Sequence, residues 1–129
     1  MIEGLWTGEW RSNVTNIGNH GAGTFLLANG KIYGGNTGHY YMGSYQQEGS
    51  GLKGEFCFQH YSGDPLGILG YSTDGVLIFK GDVQQNEIII TMQLKGLASV
   101  RLTGVLTKRM DIGDTLQSSL DLLDNLSDS

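Results

Sequence analysis

From Leu52 to Tyr61 the chain alternates without a break. Leu52, Gly54, Phe56, Phe58 and His60 fall on one side; Lys53, Glu55, Cys57, Gln59 and Tyr61 fall on the other. Only an extended strand, whose side chains repeat every two residues, sorts such a pattern onto one apolar and one polar face. The same period runs through most of the chain. Trp6, Gly8 and Trp10 share a face, and Phe25 and Leu27 precede Asn29-Gly30, a strong hairpin turn followed by Ile32 and Tyr33. Leu77, Phe79, Gly81 and Val83 alternate next. Gln85-Asn86 turns into Ile88, Ile90, Met92 and Leu94, and Val100, Leu102, Gly104 and Leu106 finish the series. Ser62-Gly63-Asp64-Pro65 breaks the strand pattern, and a short apolar segment follows from Leu66 to Tyr71.

About eight short strands at this spacing predict an all-β domain. One apolar face per strand requires the sheet to stack or to close on itself. Sequential hairpins favour an antiparallel up-and-down barrel, which also removes exposed edges. The composition agrees, with 21 glycines and one proline in 129 residues. Three of those glycines crowd into Gly34-Gly35-Asn36-Thr37-Gly38, just before the strand-forming His39-Tyr40-Tyr41-Met42. The cluster predicts a kinked or bulged turn at a barrel corner. It is not a phosphate loop, because the spacing is G-G-x-x-G and no helix N-terminus follows.

Charge divides the chain into a barrel domain over 1–110 and an acidic tail over 111–129. The barrel domain carries eight basic and eight acidic residues, so the net charge of −5 belongs to Asp111, Asp114, Asp121, Asp124 and Asp128. A neutral body and an acidic tail argue against nucleic acid as a partner, since phosphates require a basic stripe. They argue equally against an anionic membrane surface, and no apolar run approaches the ~20 residues of a spanning helix. Met1-Ile2-Glu3-Gly4-Leu5-Trp6 lacks the basic start and apolar block of a signal peptide, and Cys57 is the sole cysteine. A cytoplasmic protein is expected. In the tail, Leu116, Leu120, Leu123 and Leu126 recur at helical steps behind Asp114, an N-cap residue type. A short amphipathic helix over about 115–126 would need the barrel mouth, a second subunit or a partner to pack on. Without one, the tail is disordered.

Catalytic and metal sets do not converge. Cys57 shares its face with Lys53, Glu55 and Gln59, while His60 lies on the opposite face of the same strand, so no thiol–imidazole pair forms. His20, His39 and His60 lack zinc-ligand spacing. His60 reads as a strand-end histidine bonded to backbone, or as a polar contact inside a ligand cavity. Asp64 and Asp74 are turn residues by type. The tyrosines suit core, ligand mouth or protein interface alike. Neither a catalytic residue, a cofactor nor a metal is expected.

Gly8-Glu9-Trp10, with Arg101 or Arg109 late in the chain, resembles the G-x-W and late arginine of the calycin superfamily, in which the arginine packs across the tryptophan at one barrel end. A longer run resembles the GrlR-like family of small bacterial regulators of type III secretion. Its matching residues are Gly4-Leu5-Trp6, Gly21-Ala22-Gly23-Thr24-Phe25-Leu26-Leu27, Asn29-Gly30-Lys31-Ile32-Tyr33-Gly34-Gly35 and Gly38-His39-Tyr40-Tyr41-Met42-Gly43-Ser44-Tyr45. Gln59-His60-Tyr61 and Pro65-Leu66-Gly67-Ile68-Leu69-Gly70 continue it more loosely. The resemblance implies a calycin-like barrel, a homodimer, and a non-enzymatic regulator that binds an activator or other regulator protein. The family's regulator carries an acidic run in the loop after this strand, where Gln46-Gln47-Glu48-Gly49-Ser50-Gly51 offers only Glu48. The alternative is a calycin-type binder of a small apolar ligand, held inside the barrel by Trp10, Tyr41, Phe56, Phe58 and His60. Trp6, Trp10, Phe25, Tyr41, Phe56, Phe58, Phe79 and Met92 are the large residues expected to face inward, and they favour a filled interior.

Overall fold

A computed structural model of the chain describes residues 2–13, 20–63 and 74–112. The segment from Leu66 to Tyr71 and the helix expected over about 115–126 lie outside the described residues, as does Asp64. Eight strands follow one another: β1 (Gly4–Ser12), β2 (His20–Ala28), β3 (Lys31–Gly35), β4 (His39–Glu48), β5 (Gly51–His60), β6 (Asp74–Gln84), β7 (Glu87–Leu94) and β8 (Leu97–Asp111). Each pairs antiparallel with the next, and β8 returns to β1, so the sheet is a closed up-and-down barrel. The alternation that predicted an all-β barrel is the cause: closure buries one face of every strand and leaves no unpaired edge.

The hairpin signals hold in detail. Asn29 and Gly30 both take positive φ, 52° and 79°, which matches the twist of the flanking strands. Ala28 then faces Lys31, and Leu26 faces Tyr33. Gln85, at φ 53°, turns β6 into β7.

The run from Gly34 to Gly38 departs from expectation. Gly34 and Gly35 are regular β3 residues, and none of its glycines takes a positive φ. Asn36 makes the turn instead, its Oδ1 accepting from the backbone N–H of Gly38 at 2.9 Å and of His39 at 2.8 Å. Register irregularities fall at Leu5/Trp6 against β8 and at Gln93/Leu94.

The interior is filled. All eight large residues expected inside are buried, in one cluster with Leu27, Ile32, Leu52, Ile88, Ile90, Leu102 and Leu106. Small and large side chains alternate across neighbouring strands, as a narrow barrel requires. Gly21 and Gly104 flank Trp10, Gly43 faces Phe56, and Gly54 faces Phe79. The outer wall carries Lys53, Glu55, Lys80 and Asp82 beside exposed apolar residues such as Ile78, Ile89 and Val105. Among the described residues, no helix is long and apolar enough to cross a membrane.

Trp6 plugs one region of this core, with none of its surface exposed and its indole N–H donated to the Ile2 carbonyl at 2.8 Å. Lys108 Nζ lies 5.8 Å from the Trp6 ring centroid and pairs with Asp111. The expected arginine on Trp10 is therefore corrected. Regular pairing places Lys108 opposite Trp6, and the irregularity at Leu5/Trp6 then inserts Arg109 as an extra residue and sets Met110 opposite Leu5. Arg109 points outward, its Nε donating to Thr7 Oγ1 at 2.8 Å, and Arg101 is exposed opposite Gln93.

Candidate interaction face

The barrel brings together four of the five residues expected to line a ligand cavity, but as packing. Trp10 meets Phe25 and Tyr41 edge-on, with ring centroids 5.8 and 6.4 Å apart, and Phe25 stacks on Tyr41 at 5.2 Å. Tyr41 and Phe56 lie 5.5 Å apart. Phe58, also buried, packs its ring against His39. His60 stays at the strand end, half-buried, its Nε2–H donated to the Gly63 carbonyl at 2.9 Å and its ring 5.4 Å from that of His39. That is the backbone-bonded arrangement. The cavity left between Trp10, Phe25, Phe56, Phe79 and their neighbours measures about 20 Å³, with apolar walls. This is close to the space one water needs and far below the several hundred Å³ of an ordinary ligand site.

Tyr41 reports how dry this interior is. Burial pushes its phenol pKa well above the ordinary 10.0, against the lowering effect of the Asn36 amide, which donates to the phenol oxygen at 2.6 Å. The folded-state pKa exceeds the unfolded one, so this contribution to stability is fully present below pH 10 and is lost as pH rises beyond it. Stability should fall by up to about 1.4 kcal/mol per pH unit above pH 10 from this group. Denaturant titrations across that range check it. Tyr41→Phe should flatten the slope without abolishing it, because burial raises Tyr45 as well.

Cys57 is exposed, and its thiol donates to the Met42 carbonyl at 3.2 Å. Its position on the outer wall is more informative. Met110 faces Leu5, Leu5 faces Leu26, Leu26 faces Tyr33, Tyr33 faces Met42, Met42 faces Cys57, and Cys57 faces Val76. Directly opposed residues share a face, so these side chains form one outward apolar row crossing the strands from β8 through β1 to β6. Tyr33 is 47 % exposed and Met42 52 %, which places large apolar side chains in solvent side by side. On one flank lie Ala28, Lys31, Ser44 and Glu55; on the other lie Thr7, Thr24, Gly35 and Tyr40. Tyr40 in turn packs beside Tyr61, whose hydroxyl donates to the Asn36 carbonyl at 2.8 Å.

The second flank sinks into an open depression of about 930 Å³, floored by small residues such as Thr7, Ala22, Thr24 and Gly35 and bounded by Tyr61 and Arg109. An apolar row beside a small-residue hollow offers anchors and space for a partner's side chains. Exposed contiguous apolar surface of this kind marks interaction sites, where Tyr and Met are over-used. Alternation along single strands does not reveal the row, because it is a property of cross-strand register. Part of the signal was nonetheless present: a two-residue turn at Asn29-Gly30 fixes Leu26 against Tyr33, and one at Gly49-Ser50 fixes Met42 against Cys57. In comparison with known proteins, the chain matches no family model and no curated sequence.

Proposed function

We propose that the chain is a non-enzymatic, cytoplasmic regulatory barrel of the GrlR-like kind, which acts by binding a regulator protein and assembles as a homodimer. The observation that carries this reading is the distribution of apolar surface. The interior is filled to a residue of about 20 Å³, whereas the outer wall presents Leu26, Tyr33 and Met42 to solvent in one row. Apolar area left in water is unfavourable by roughly 25 cal/mol per Å², and a partner that covers it recovers that energy. The alternative, a carrier of a small apolar ligand inside the barrel, would require Trp10, Tyr41 and Phe56 to move apart and lose their mutual contacts.

Native mass spectrometry of the protein purified from its source tests both readings. The expected result is an assembly with a second copy and a partner protein, lost on Tyr33→Lys or Met42→Lys while the barrel stays folded. A small molecule retained at one per chain would overturn it. Surface substitutions of this type change stability by only about 0.5 kcal/mol, so loss of assembly would not be explained by unfolding.

A further inference from the structure

Two histidines far apart in the sequence meet at one end of the barrel. His39 opens β4, His60 closes β5, and the two stand directly opposite each other. The Tyr61 N–H donates to the Gly38 carbonyl at 2.9 Å, so positions 38 and 61 form a hydrogen-bonded pair. The adjoining pair, His39 and His60, is then a non-hydrogen-bonded one, in which opposed side chains come closest. Both are half-buried, on the inward side that Tyr41 and Phe58 share, with ring centroids 5.4 Å apart and planes inclined at 64°.

That spacing suits a shared metal ion. An ion about 2.1 Å from one nitrogen of each ring lies about 3.2 Å from each centroid, and a tetrahedral angle then sets the centroids about 5.2 Å apart. The rings are also held in place. A carbonyl only accepts, so the 2.9 Å contact with Gly63 fixes the proton of neutral His60 on Nε2 and leaves the lone pair on Nδ1. Donation of the second ring N–H to a carbonyl is the usual support of a metal-bound imidazole. Phe58 packs against the His39 ring at 5.9 Å. Asn36 grips the His39 backbone twice: its Oδ1 accepts the His39 N–H at 2.8 Å, and its own N–H donates to the His39 carbonyl at 2.9 Å.

We propose that His39 and His60 chelate one divalent transition-metal ion at the barrel end, through Nδ1 of His60 and one ring nitrogen of His39. Imidazole donors favour zinc, copper or nickel over magnesium and calcium. Among the described residues, no group of three or more His, Cys, Asp or Glu could hold a metal. The site is therefore open, with its remaining positions left to exchangeable donors such as water. It faces inward at the barrel end, so it does not depend on the outer row being a docking face.

Zinc titrated into the isotope-labelled full chain tests this, in a Cys57→Ser background that removes the exposed thiol as a competitor. NMR of the imidazole nitrogens is the readout. One equivalent should shift the ring signals of His39 and His60 together, with Nε2 of His60 still protonated and His20 unmoved. Magnesium at the same concentration should shift neither ring. His39→Gln and His60→Gln should each weaken zinc binding, followed by calorimetry, at least about tenfold. No shift of the two rings, a shift of one alone, an equal response to magnesium, or full affinity in either Gln variant would overturn chelation. The ring signals of the unsubstituted pair decide the matter even where a variant fails to fold.

Discussion

Trp6→Ala should lower the free energy of unfolding by about 3–5 kcal/mol, a large part of the 5–15 kcal/mol typical of a domain. The Trp6 side chain has no exposed surface and its indole N–H is donated to the Ile2 carbonyl, so truncation leaves a cavity and strands that carbonyl. It also removes the ring over which Lys108 lies, and the lysine side chain is itself only 8 % exposed. Those walls belong to β1 and β8, the pair that closes the barrel, and a closed sheet cannot relax one seam without disturbing its neighbours. Urea titration should show the midpoint falling with an unchanged slope. Lys108→Met separates the two contributions: it keeps the packed stem and should cost less than Trp6→Ala. An unfolding free energy within about 0.5 kcal/mol of wild type (roughly the scatter of surface substitutions) for Trp6→Ala would show that the seam does not depend on this residue.

The same seam shows where sequence reading succeeds and where it stops. Period-two alternation identified the inward residues from Trp6 to Leu106, because burial on closure acts on each strand separately. Two-residue turns at Asn29-Gly30 and Gln85-Asn86 were legible for an equally local reason, the positive φ they demand. The irregularity at Leu5/Trp6 was not. One extra residue in β8, Arg109, turns Met110 outward opposite Leu5, where unbroken alternation would point it inward with Leu106 and Lys108, and nothing within β8 alone signals it. Regular alternation alone puts Arg109, a candidate for the tryptophan, on the wall beside Thr7 and lays Lys108 over Trp6. The outer row was hidden by the same limit. Leu26, Tyr33 and Met42 are separate outward residues until the register across Asn36–Gly38 aligns Tyr33 with Met42, and that register is set by the Asn36 side chain. The interior candidates fared differently: Trp10, Tyr41 and Phe56 were correctly placed inside, but rings within contact distance of each other leave no ligand volume.

Gly43→Ala should destabilise the barrel by about 3 kcal/mol, the upper end of overpacking effects. The reason is steric. A Cβ at position 43 would collide with the Glu55 carbonyl oxygen and lie 2.5 Å from Phe56 Cα and 2.6 Å from Phe56 Cβ. Backbone atoms cannot rotate aside as a long side chain can, so β4 and β5 would have to separate, breaking the ladder that also aligns Met42 with Cys57. Gly49→Ala is the matched control. Gly49 takes a φ of 62° with nothing within 4 Å of an added Cβ, so its penalty is conformational only, about 1–2 kcal/mol. The pair distinguishes two uses of glycine in one chain. At Gly49 it permits the left-handed turn; at Gly43 it makes room for Phe56 on the next strand. Thermal or urea unfolding of the two variants decides the matter, and equal losses would refute close strand approach as the reason for Gly43. A larger loss at Gly43 would mean that the glycines facing the aromatic residues give this narrow barrel room to hold its large side chains inside.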